Sequence, residues 1–192
     1  MGMRSVAFAV AVLALTTAAK SAVIVYQGVM SGLAESPPNG SPGIGFAEVD
    51  WNTTANTMRV QVSFSGLLGT TTASHIHAAT ALPGTGTAGV ATTTPTFTSF
   101  PLGVTSGTYD FTYDMTASGS YNASYVTANG GTTASAETAF KASLDAGTSY
   151  LNIHSTVVPG GEIRGFLVAV PEPASLGVLG SFGMLLMRRR RG

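Results

Sequence analysis

The chain has 192 residues, a formal net charge of +0 and no cysteine, with charged residues making up only 9% of it. The missing cysteines exclude disulfides, thiolate metal sites and cysteine nucleophiles. Residues 22–170 keep only Arg59, Lys141 and Arg164 as cations and are net acidic, so they offer no footprint for a nucleic-acid backbone or an anionic membrane surface.

At the N-terminus, Arg4 precedes an apolar run over 6–15 and a mostly small stretch over 16–22. That order predicts a secretory signal peptide over 1–21, and cleavage after Ala19 or after Ser21 satisfies the small-residue rule. The body that follows, about 150 residues, is long enough for one domain with a real core.

Alternation with period two dominates this body. Met58, Val60, Val62 and Phe64 fall on one side of a strand, and Arg59, Gln61 and Ser63 on the other. Tyr109, Phe111, Tyr113 and Met115 alternate in the same way with Asp110, Thr112 and Asp114. Further strands are expected over 23–30, 45–51, 150–154 and 162–169, with Gly and Pro clusters at 37–45, 83–89 and 159–161 as turns. Such a pattern predicts an all-β domain over 22–169, an antiparallel β-sandwich. Residues 92–107 have no period and read as loop or edge. One short helix is expected over 134–144, because Ala136, Phe140 and Leu144 have helical spacing and Gly147 can stop it. It would pack across one end of the sandwich.

The three histidines sit in two short motifs. In Ser74-His75-Ile76-His77, a strand projects His75 and His77 to the same side and sends Ile76 into the core. In Tyr150-Leu151-Asn152-Ile153-His154, the same rule turns Leu151 and Ile153 inward and puts Asn152 beside His154. If the two strands are neighbours, three neutral imidazoles converge. That donor set suits zinc or copper and leaves a position open for water or substrate. The bland alternative is that the rings anchor loops through backbone hydrogen bonds and bind nothing. Glu162 and Arg164, two apart, read as an ion pair or loop clamp at a strand start. No Ser/His/Asp arrangement or G-x-S-x-G elbow is present, and Asp110 and Asp114 belong to a solvated strand face, so no enzymatic activity is expected.

At the C-terminus, Pro171-Glu172-Pro173 keeps the backbone extended ahead of an uncharged stretch over 174–187 and the arginines of 188–191. As a helix the apolar stretch spans about 21 Å, which allows transient inner-membrane anchoring as a short transmembrane helix with local thinning. The segment over 170–192 resembles the PEP-CTERM sorting signal of Gram-negative bacteria that make an exopolysaccharide matrix. That resemblance, carried by Pro171, Glu172, Pro173 and the ordered helix and basic block, implies recognition by an exosortase, removal of the tail and export to the outer surface.

The body resembles the CHRD domain. Met30-Ser31-Gly32-Leu33-Ala34-Glu35-Ser36-Pro37-Pro38 is similar to the family's opening L-x-G-x-x-E-x-P-P, with Met30 for leucine. His75-Ile76-His77 matches its central H-I-H. Tyr150 to His154, followed by Gly161 to Leu167, matches its closing Y-x-N-x-H and G-E-I-R-G-x-L. The resemblance implies a β-sandwich of immunoglobulin-like outline. Two departures stand out: Ala78 and Ala79 follow the H-I-H where many members have a glycine-containing turn, and Phe166 stands where members often have glutamine. A weaker resemblance links His75, His77, His154 and Arg164 to copper–zinc superoxide dismutases, but a fourth histidine and a bridging ligand are missing. The expected function is therefore a non-enzymatic binding or structural module at the cell surface, with exopolysaccharide or envelope components as partners and no nucleic acid. The alternative is a mononuclear copper or zinc protein using His75, His77 and His154.

Overall fold

β-Branched and aromatic residues at alternate positions fit a pleated, half-buried surface, and they set the strands here. A computed structural model describes residues 23–171. The expected signal peptide and the sorting segment beyond Pro171, with Glu172 and Pro173, lie outside the described residues.

Strands β1 (Val23–Ser31), β2 (Ile44–Asn52) and β3 (Thr57–Ser65) follow one another as antiparallel neighbours. In β3, Met58, Val60, Val62 and Phe64 are buried while Arg59 and Ser63 are exposed, the alternation expected from sequence. The β2–β3 turn closes on Asn52, whose side chain accepts from the Thr54 and Ala55 amides at 3.0 and 2.9 Å. The remaining strands are β4 (Thr71–His77), β5 (Gly107–Asp114), β6 (Tyr150–Ser155), β7 (Ile163–Phe166) and β8 (Val168–Ala169).

The all-β class is found, but the strands do not separate into two sheets. They form one antiparallel sheet in the order β4-β6-β7-β1-β2-β3-β5, with β8 also on β1. The joint is the segment running from β7 into β8. On one side Phe166 pairs with Tyr150 of β6; on the other Arg164 pairs with Ser31, and Val168 with Gln27, of β1. Glycine permits this close passage. A Cβ on Gly28 would stand 2.6 Å from the Phe166 carbonyl oxygen, and one on Gly165 2.6 Å from that of Val29. The sheet curls so that Tyr26, Met30, Trp51, Ile76, Leu151, Ile153 and Ile163, drawn from both halves, share one core.

Residues 92–106 hold no named strand, as the lack of period implied. Together with Ala91 they shield the outer edge of β4, through Ala91 N–H to Ile76 C=O and Phe97 N–H to Ser74 C=O, both 2.9 Å, which blunts an edge that would otherwise template pairing. Among the described residues two α-helices are present where one was expected in the body. Helix α2 (Thr133–Asp145) buries Ala136, Phe140 and Leu144 as the spacing predicted. It starts from a capping box between Thr132 and Ser135 and packs Phe140 edge-to-face on Trp51 at 5.8 Å. Helix α1 (Ala123–Ala128), begun by Asn122 as N-cap, buries only Tyr125. Six residues with one inward side chain leave no helical period to read. Among the described residues no helix is long and apolar enough to cross a membrane.

Candidate metal centre

Strands β4 and β6 are direct neighbours, paired with His75 opposite Asn152, His77 opposite Tyr150 and Ala73 opposite His154. Residues opposite one another point to the same face. One wall of the sheet therefore carries His75, His77, Tyr150, Asn152 and His154, and the pairing of β6 with β7 adds Arg164 and Phe166. Ile76, Leu151 and Ile153 turn to the other face and are fully buried. Convergence of the three rings, conditional on strand adjacency in the sequence, is realised.

The rings meet edge-on. His75 lies 5.6 Å from His77 and 5.0 Å from His154 between centroids, at 82° and 69°. One nitrogen from each ring lies within 4.8 Å of the other two. Three nitrogens about 2.0 Å from a shared ion sit about 3.4 Å apart, so from separations of up to 4.8 Å each would move inward by at most about 0.8 Å to close on one.

Each ring is held from behind by a backbone carbonyl. His75 Nε2 meets Pro95 O at 2.7 Å, His77 Nδ1 meets Ala88 O at 2.9 Å, and His154 Nδ1 meets Pro159 O at 2.8 Å. A carbonyl only accepts, so these nitrogens carry the protons. The opposite nitrogens of the neutral rings, His75 Nδ1, His77 Nε2 and His154 Nε2, then hold lone pairs. All three are buried and have no hydrogen-bond partner. A buried polar atom left in that state costs about 1–3 kcal/mol. As the bland sequence reading expected, every histidine anchors to backbone, and it does so with one of its two nitrogens.

Burial also settles the charge. It pushes the His75 pKa down to about 4, against the Pro95 hydrogen bond and with help from His154 and His77. The same desolvation lowers His77, against the Ala88 carbonyl and helped by His154 and Arg164, and it lowers His154 against the Pro159 carbonyl. Near neutral pH the site presents three uncharged imidazoles, the form that binds a metal. The carbonyl contacts match the outer-shell pattern of metal-ligating histidine, in which the second ring nitrogen donates and fixes the tautomer.

The surroundings were only partly visible in the sequence. Tyr150 lies flat against His77, 4.7 Å between centroids at 4°, and the Arg164 guanidinium sits 4.7 Å from the Tyr150 ring centre. Period-two counting from His154 already puts Tyr150 on this wall. Glu162 and Arg164 do not pair with each other. Arg164 is buried beside Glu35 at 3.8 Å and donates to the carbonyls of Ala34 and Gly86. Glu35 also accepts from Asn152 at 2.7 Å, and burial lifts its pKa to about 7 in spite of Arg164. Glu162 instead clamps a loop, accepting from Ser41 Oγ at 2.6 Å and from the Leu68 and Gly69 amides at 2.5 and 3.2 Å. Burial raises its pKa, but hydrogen bonds from Ser155, Ser41, Leu68 and Gly69 outweigh it and leave it below the ordinary range. The same-face rule fails for this pair because β7 begins at Ile163, and Gly161, with φ 131, swings the preceding chain out of strand geometry.

The CHRD domain family matches residues 26–167, a span that includes all three histidines, Glu35, Tyr150 and Arg164. No curated protein matches the chain, and no solved structure does.

Proposed function

The chain belongs to the CHRD domain family, and on that footing we propose that it is an exported, non-enzymatic β-domain whose binding function is to hold one transition-metal ion, copper or zinc, on His75, His77 and His154. One observation carries the reading: His75, His77 and His154 each bring a ring nitrogen within 4.8 Å of the other two, and each ring keeps one buried nitrogen that has no partner. Fixed tautomers and neutral rings support it, because a metal would meet no proton to displace at pH 7. The chemistry available is storage, scavenging or carriage of the ion.

Elemental analysis of the tag-free full chain tests this, with His154→Ala as control. The expected result is one ion per chain in the parent and at least a tenfold loss of retained metal in the variant, with circular dichroism unchanged. Metal absent from both, or equal in both, would refute it.

The destination is a separate element of the proposal. The 1–21 signal peptide and the sorting segment with Pro171, Glu172 and Pro173 support export through an inner-membrane-anchored precursor, cleavage by an exosortase and residence at the outer surface or in an exopolysaccharide matrix. Fractionation of a Gram-negative host with and without an exosortase checks it: the tailless form should appear outside the cell only in its presence.

A further inference from the structure

We propose that the triad is a closed, three-coordinate site for monovalent copper and not an open, water-bearing site for a divalent ion. This rests on the metal-binding reading above and adds the identity and oxidation state of the ion.

Closure is the first argument. His75 Nδ1, His77 Nε2 and His154 Nε2 are all shut off from solvent, although His77 and His154 are partly exposed as residues. Their ligand ends point inward, and the exposed parts of the rings lie elsewhere. An open zinc site needs a fourth position reached by water or substrate. Here neighbouring groups pack against the rings that would flank that position. The His75 ring stands edge-on to both partners, and Tyr150 covers a face of His77. The stretch that supplies the Ala88 carbonyl is held down by the Ala88 amide on Tyr150 Oη at 3.3 Å and by Arg164 on Gly86 O at 2.9 Å. Asn152 Oδ1 is also buried without a partner. Its amide, however, is tied to Glu35 through Nδ2 and pressed against Gly161, where an added Cβ would stand 3.1 Å from that oxygen.

Charge is the second argument. No carboxylate belongs to the triad, and the acid on this wall, Glu35, is already engaged by Arg164 and Asn152. The solvation lost on burying an ion grows with the square of its charge, so a divalent ion forfeits about four times what a monovalent one does. Arg164, close enough to depress the His77 pKa, adds repulsion that also scales with the charge of the ion. Copper(I) is content with three imidazoles in a plane, whereas zinc seeks a fourth ligand. Imidazole alone does not favour copper(I) through softness; the selection comes from the shut fourth position and the lack of a counter-charge.

Anaerobic titration of the full chain separates the possibilities, with copper(I) against a chromophoric cuprous chelator and, in parallel, zinc(II) and copper(II) against chelators of their own. X-ray absorption on the loaded protein counts the ligands. The expected result is one copper(I) per chain, bound at least 100-fold more tightly than zinc(II) and more tightly than copper(II), with three nitrogen neighbours and no oxygen. Tighter binding of zinc(II) or copper(II), or a fourth ligand from water or Asn152, would overturn this inference and leave the metal-binding reading standing. Failure of all three ions to bind would remove both. Tyr150→Phe guards the comparison, because it keeps the ring against His77 and deletes only the hydroxyl latch. It should admit water and narrow the copper(I)-over-zinc(II) preference by about tenfold while the fold persists; an unchanged preference would contradict the role given to closure.

Discussion

A histidine normally gains stability from being charged beside an acceptor; those on this wall do the reverse. With the folded His75 pKa near 4 and an ordinary value of 6.5, the unfolded chain takes up the proton first as the pH falls. Its contribution is full above about pH 6.5 and is lost toward pH 4, roughly 3 kcal/mol for a shift of that size. Glu35 acts oppositely. Its pKa is raised from 4.5 to about 7, so the folded chain holds a proton that the unfolded chain has released, and stability falls as the pH rises from 4.5 through 7. The two partly cancel in the metal-free parent, with Arg164 as the fixed charge between Glu35 and His77. Denaturant unfolding of Glu35→Gln should therefore lose stability more steeply than the parent between pH 6.5 and 4.5; parallel curves would contradict the assignment. Gly161 is the other residue on which the wall depends. Its φ is 131 and an added Cβ would meet Asn152 Nδ2 at 2.4 Å and Glu35 Oε1 at 2.9 Å. Gly161→Ala should cost about 1–3 kcal/mol in thermal unfolding. It should also weaken metal retention, because Pro159 O holds the His154 ring from the same loop.

Among the elements, the strands and helix α2 were legible and helix α1 was not. Met58 to Phe64 and Tyr109 to Met115 gave their faces away because each second residue is large and apolar, and burial follows that alternation. Helix α2 showed itself through Ala136, Phe140 and Leu144; α1 buries a single tyrosine and had no such pattern. The histidine strands were readable as faces, but their adjacency was not, since β4 and β6 are separated in the chain by β5 and both helices. Glu35 as the partner of Arg164 was hidden for the same reason: the contact joins the turn after β1 to β7. Helix α2 also yields a graded prediction. Thr132→Ala removes the capping box and should cost about 1 kcal/mol. Phe140→Ala strips a fully buried ring from Trp51 and Tyr125 and should cost about 3–5 kcal/mol. Chemical denaturation measures both, and equal effects would show that α2 is not pinned by its core face.

At the scale of the whole molecule, one curled sheet divides its labour between two faces. The inner face gathers the core from both halves, and this frees one wall of β4, β6 and β7 to carry polar rings. A period-two reading cannot distinguish a curled sheet from two stacked ones, because both bury alternate residues; the difference lies in the crossing of β7–β8 from β6 to β1. The crossing matters for the site, since it carries Arg164 under Tyr150 and brings Glu35 to it. Segments 92–106 and 83–90 then close over the wall and supply the Pro95 and Ala88 carbonyls that orient the rings. The account therefore stands on the tautomers of three imidazoles. Side-chain nitrogen NMR of the metal-free full chain at pH 7 reads them directly. It should show neutral rings with the proton on Nε2 of His75 and on Nδ1 of His77 and His154, and one equivalent of ion should shift the three bare nitrogens together. Charged rings, reversed tautomers, or a metal that perturbs none of them would contradict it.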